Sequence, residues 1–133
     1  MPEPKLGGMS HVSLSVRDLE VSSRWYCEVL GFTVFERLEQ DGFREHVLQH
    51  STGMVLCLQQ HTANAGEAFD ERRTGMDHVA FKVTDRRELD GWTARLAALD
   101  VTNSSVADVP YGSVLCLRDP DRIQLELFYR PGH

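Results

Sequence analysis

Apolar residues alternate twice in nearly the same words, at Met9 to Val16 (MSHVSLSV) and at Met76 to Val83 (MDHVAFKV). In each copy Val, Leu or Phe, and Val fall at every second place, which predicts a strand with one apolar face. The other face carries His11, Ser13 and Ser15 in the first copy and His78, Ala80 and Lys82 in the second. A duplicated strand implies a duplicated module. After the first copy the period lengthens. Val21, Trp25 and Val29, flanked by Tyr26 and Leu30, predict a helix over Leu19 to Leu30 with Trp25 in the core, stopped by Gly31. Alternation returns in FTVFERLEQ, FREHVLQH and MVLCLQQH, separated by the turn signals Asp41-Gly42 and Ser51-Thr52-Gly53. The first half therefore reads β-α-β-β-β.

Thr62 to Gly75 is polar except for Phe69 and predicts a linker between modules and a mobile lid. The second half repeats the order. Leu89, Trp92, Leu96 and Leu99 predict a helix over Arg86 to Leu99, followed by a weak strand near Val101 to Val109, then SVLCLRD after Pro110-Tyr111-Gly112 and RIQLELFYR after Asp119-Pro120-Asp121. The expectation is one α+β domain of two βαβββ repeats, with module 1 at about 9–61, a linker at 62–75 and module 2 at about 76–130. One helix covers only one face of each sheet. Two such modules side by side would form one curved, cup-shaped, eight-stranded mixed sheet with helices outside and His11 and His78 facing each other within.

At 133 residues the chain suits a single ordinary domain. No apolar run approaches the ~20 residues of a membrane span. MPEPKLGG lacks the features of a signal peptide, so a cytoplasmic location is expected. Cys27, Cys57 and Cys116 are an odd number without paired spacing, which argues against a disulfide framework or zinc ribbon. A net charge of -6 leaves no basic footprint for nucleic acid and points to small-molecule partners.

Aligning the last strands of the two modules, TGMVLCLQQ with DRIQLELFY, sets Cys57 opposite Glu126. Ile123, Leu125 and Leu127 then face the helix, and Gln124, Glu126 and Phe128 face away from it. Two imidazoles at equivalent repeat positions and one carboxylate, His11, His78 and Glu126, make a 2-His-1-carboxylate set. Such a set holds a divalent first-row ion while leaving positions open for substrate, so the ion stays a Lewis acid. Ser13, Gln59, Tyr111, Gln124 and Phe128 are expected to line the pocket. His46, His50 and His61 read as solvated hairpin residues, with His61 at the rim, and no phosphate loop or nucleophile elbow is present.

From Met9 to Tyr129 the sequence resembles the vicinal oxygen chelate superfamily, which includes glyoxalase I, extradiol dioxygenases, fosfomycin-resistance thiol transferases and bleomycin-resistance binding proteins. HVSLSVRDLEVSSRWYCEVLGF, MDHVAFKV and DPDRIQLEL carry the likeness. It implies the paired βαβββ fold, a homodimer and a divalent metal (iron, manganese, nickel, cobalt or zinc) on His11, His78 and Glu126. Cys57 falls where bacterial glyoxalase I has a glutamate, making it a candidate fourth ligand and a departure from the lyase pattern. Arg122 replaces the glycine usual after Asp-Pro-Asp. Two function classes follow from the resemblance: a metal-dependent lyase/isomerase, dioxygenase or thiol transferase, and a metal-free binding protein for an aromatic or antibiotic-like molecule.

Overall fold

A computed structural model describes residues 2–133. The chain divides into two compact units, 1–66 and 67–133, each a complete βαβββ module. The first contains β1 (Val12–Ser15), α1 (Leu19–Leu30), β2 (Thr33–Gln40), β3 (Phe43–Gln49) and β4 (Val55–His61). The second contains β5 (His78–Val83), α2 (Arg86–Ala98), β6 (Ala107–Val109), β7 (Gly112–Arg118) and β8 (Gln124–Tyr129). The strand orders are β1-β4-β3-β2 and β5-β8-β7-β6. In both, the first strand runs parallel to the last and the remaining pairs are antiparallel. The eight strands thus form two four-stranded sheets rather than a single eight-stranded ladder, because each module's first strand pairs with that module's own last strand.

Sequence dictates the helix ends. The Asp18 carboxylate accepts from the Val21 N–H at 3.1 Å, and Gly31 adopts a left-handed φ of 81° while its N–H and that of Phe32 bond back to Cys27 and Tyr26. Asp85 caps α2 in the same way, on the Arg87 N–H at 2.9 Å.

Each helix covers one face of its own sheet. The buried stripe of α1 is Leu19, Ser22, Ser23, Tyr26, Val29 and Leu30, which corrects the expected one. Val21 is 44% exposed and Trp25 only half-buried, because the stripe begins at Leu19 and its turns come round to Tyr26, which meets Phe32 edge-on. In α2 Leu89 and Leu96 are buried, Trp92 is half-buried beneath the Arg95 guanidinium, and Leu99 is exposed past the helix end. Leu56 and Leu58 in the first sheet and Leu125 and Leu127 in the second complete the two cores. Burying each such side chain contributes about 1.5–3 kcal/mol.

His46 is not solvated, as its hairpin position suggested, but 2% exposed. Register explains this: His46 pairs with Leu58 and so shares its helix-facing side, where Nδ1 bonds Ser23 Oγ at 2.9 Å and Nε2 lies 3.7 Å from Glu20. Burial lowers its pKa below the ordinary 6.5, with Glu20 opposing and Arg37 and Arg44 adding to the depression.

The linker is partly tied down. Phe69 N–H donates to the Asp121 carbonyl at 3.0 Å and Glu71 pairs with Arg118 at 2.9 Å, so its C-terminal part is anchored to the second unit rather than hanging as a lid. In the last turn the Asp119 carboxylate accepts from Asp121 and Ile123 N–H groups at 2.8 Å each, and Arg122 takes a left-handed φ of 67°. The turn therefore retains a conformation that favours glycine despite the arginine.

Candidate active site

Equivalent residues of the two modules are identified by register. Ser13 pairs with Cys57 and Cys57 with Val47 in the first sheet; Ala80 pairs with Glu126 and Glu126 with Cys116 in the second. Counting back two residues along β1 and β5 makes His11 the counterpart of His78. All of these lie on the far face of their sheet, the one turned away from its helix.

In the second unit His78 opens β5. Its Nδ1 stands 2.8 Å from Asp77 Oδ1, and its Nε2 stands 3.6 Å from Glu126 Oε1. A carboxylate accepts, so Nδ1 carries a proton toward Asp77, and in the neutral imidazole the Nε2 lone pair is left on the side of Glu126. In that neutral form the imidazole nitrogen and the carboxylate can share a cation, and imidazole-plus-carboxylate chemistry suits a divalent first-row ion. The residues present thus fit the metal that the resemblance implies. Asp77 does for His78 what carboxylates beside metal-binding histidines do, fixing tautomer and ring plane.

Glu126 has 13% of its side chain exposed. Gln124 Nε2 donates to its Oε2 at 2.9 Å and in turn accepts from Arg118 Nη2 at 3.2 Å. Arg118 is paired with Glu71, whose carboxyl it holds below the usual range through their hydrogen bond. A polar chain thus runs Glu71, Arg118, Gln124, Glu126, His78, Asp77. Glu71, Arg118 and Asp77 are the members that sequence reasoning missed. Asp77 was detectable as the acidic neighbour of a candidate ligand, whereas Arg118 is reached only across a strand pair.

In the first unit His11 precedes β1, and its Nδ1 lies 2.9 Å from Ser10 Oγ. The preceding side chain therefore holds Nδ1 in both modules. Cys57 is 5% exposed. Burial pushes its thiol pKa above the ordinary 9.0; the Ser13 hydroxyl opposes this and Glu45 adds to it. Glu45, on β3, also accepts from Gln59 Nε2 at 3.3 Å. This carboxylate was overlooked in the sequence, although FREHVLQ alternates so that Glu45 and Val47 share one side. His61 stacks obliquely on Phe43 across β3 and β4, and His50 bonds Thr52 at the hairpin. All three cysteines are free.

Among the described residues no group of three or more His, Cys, Asp or Glu side chains is gathered in a metal-binding cluster. The second unit does have a depression of about 480 Å³, lined by His78, Lys82, Tyr111, Glu126, Phe128 and Arg130 among others. Tyr111 and Phe128 stack within it, with centroids 5.8 Å apart and planes 8° from parallel. Gln124 stands beside it on Glu126, whereas Ser13 and Gln59 lie on the first sheet around Cys57.

Comparison with known proteins fixes the family. The model of the Glyoxalase/Bleomycin resistance protein/Dioxygenase superfamily matches residues 8–127. The chain belongs to that superfamily. It is 28% identical over 120 residues to catechol-2,3-dioxygenase of Bacillus subtilis, covering 90% of this chain and 40% of that protein. The chain thus spans about two fifths of the length of the curated relatives it first matches. Among solved structures, a glyoxylase/bleomycin resistance protein/dioxygenase domain from Frankia sp. EAN1pec shares 37% identity with a TM-score of 0.89, over 97% of this chain and 96% of that one. The fosfomycin resistance protein FosX of Listeria monocytogenes, solved with Mn(II) and sulfate, shares the fold at TM-score 0.69 and 23% identity, covering 94% and 93%. Among the described residues no helix of this superfamily member is long and apolar enough to cross a membrane.

Proposed function

We propose that the chain is a divalent-metal-dependent enzyme of the superfamily, of dioxygenase or glyoxalase type, acting on a small molecule that presents two neighbouring oxygens. His78 and Glu126 are two of its ligands. The observation that carries this reading is the His78 Nε2 and Glu126 Oε1 pair, an imidazole nitrogen and a carboxylate oxygen 3.6 Å apart with the far imidazole nitrogen held by Asp77. The likeness to a catechol-2,3-dioxygenase favours the oxygen-chelating chemistry, and a FosX structure containing Mn(II) supports a metal on this fold.

A bound ion would supply Lewis acidity to the two substrate oxygens. The protein's own part is orientation. Asp77 keeps the Nε2 lone pair available, Gln124 sets the plane of Glu126, and the Arg118 to Glu71 pair anchors Gln124. Cys57 serves as wall, since a buried thiol with a raised pKa beside Glu45 is a poor thiolate donor at neutral pH.

Metal analysis of protein purified without chelator tests the proposal. Close to one equivalent of a first-row ion per chain is expected. Less than about a tenth of an equivalent, with no gain on adding iron, manganese, nickel, cobalt or zinc, would overturn it in favour of a metal-free binding protein.

A further inference from the structure

The depression on the second sheet has a chemical gradient along its length. The His78 and Glu126 pair lies at one end. Lys82 shares the far face of β5 four residues on, roughly 13 Å along the strand. Between them the wall is aromatic: Tyr111 is 61% exposed yet stacked on Phe128, and the Arg130 guanidinium lies 5.9 Å from the Phe128 ring centre. Lys82 pairs with Phe128 across the strands, so two cations flank one aromatic platform.

These cations are not neutralised by the protein. Arg118, the other cation on this part of the sheet, is paired with Glu71, whereas neither Lys82 nor Arg130 has an ion-pair partner among the described residues. The chain as a whole carries more acids than bases, 20 against 14. Gly112 keeps the platform in place, since an added Cβ there would overlap the Tyr129 carbonyl oxygen and crowd the Phe128 ring. An exposed aromatic wall with unpaired cations beside it recognises a planar ring bearing a negative charge.

We infer that the substrate is a small aromatic acid: a ring carrying two neighbouring oxygens toward His78 and Glu126 and an anionic substituent toward Lys82 and Arg130. This deepens the function proposed above and rests on it for the placement of the oxygens. The charge preference stands on the second sheet alone.

The test is calorimetric titration of 3,4-dihydroxybenzoate and of its neutral methyl ester into protein as purified and after chelator treatment. The acid should bind about tenfold more tightly than the ester in both preparations, the size expected of a charge-assisted contact. Lys82→Gln with Arg130→Gln should erase that preference, and Tyr111→Ala should weaken acid and ester alike, each variant retaining the wild-type melting profile. Equal binding of acid and ester, or a preference that survives the double substitution, overturns the inference. A metal-loaded protein without acid preference sinks this inference and leaves the enzyme reading intact; an acid preference in a protein that takes up no metal does the reverse.

Discussion

The two modules share one topology and one register, and they differ most at the centre of their far faces. At the position two residues after the histidine and one strand across, the first sheet has Cys57, buried between Ser13 and Val47, and the second has Glu126, between Ala80 and Cys116. On the helix-facing side the contrast runs the other way. The first sheet buries the polar His46 where the second has Leu115, each paired with a buried leucine of the last strand. A repeated fold therefore holds its leucine ladder and its histidine positions constant while the polar groups are distributed differently. The second module gathers an imidazole, a carboxylate and an amide at the far face, and the first buries His46 against Ser23 inside its core.

The largest effects should come from what the modules share. Leu56→Ala and Leu125→Ala each remove a buried leucine from the equivalent place in a sheet and should each destabilise by about 2–5 kcal/mol. Chemical denaturation checks this, and a much smaller cost in one would show that the two cores are not equivalent.

Glycine substitution should separate the modules. Gly112→Ala is expected to cost about 1–3 kcal/mol because the new methyl group meets the Tyr129 backbone, which cannot yield as a side chain can. Gly42→Ala in the first module meets no atom and should cost only the strain of a φ of 90°, about 1 kcal/mol. Thermal melts of the two variants, with Gly112→Ala also losing the Tyr111 and Phe128 platform, would sharpen the distinction.

A smaller effect is a pH dependence just below neutrality that arises in the first module, from His46. The folded-state pKa of His46 is depressed, so the unfolded chain binds the proton more readily. Its stabilising contribution is present above the unfolded value near 6.5 and is lost as pH falls through that value toward the folded pKa. Denaturation midpoints should decline as the pH falls below about 6.5 in the native chain. The paired change His46→Leu with Ser23→Ala, which copies the second module's leucine and removes the orphaned hydroxyl, should flatten that decline.

How much of this was legible in the sequence depended on which period carried the information. Strand alternation is short and local, so β1, β5 and β8 and the inward side of Leu125 and Leu127 could be read directly. The α1 stripe could not, because Val21 and Trp25 compete with Leu19 and Tyr26 at helical spacing and only packing against Phe32 decides between them. His46 was misread because a histidine in a hairpin carries no mark of burial until the register with Leu58 is known. The nearness of His78 to Glu126 was legible because the repeat set both on the face turned away from the helix. Glu45 was not, since its counterpart across from Phe128 is Val114, and no repeat calls attention to it.

The central claim, that Glu126 and not Cys57 completes the metal-binding set, is tested most directly by metal affinity in two single variants. Glu126→Ala should weaken binding of the native metal by tenfold or more, whereas Cys57→Ser should leave it nearly unchanged, by comparison with the ~10 to 100-fold losses that follow even removal of groups behind the ligands. If Cys57→Ser empties the protein of metal as thoroughly as Glu126→Ala, the account is wrong and Cys57 supplies a sulfur ligand.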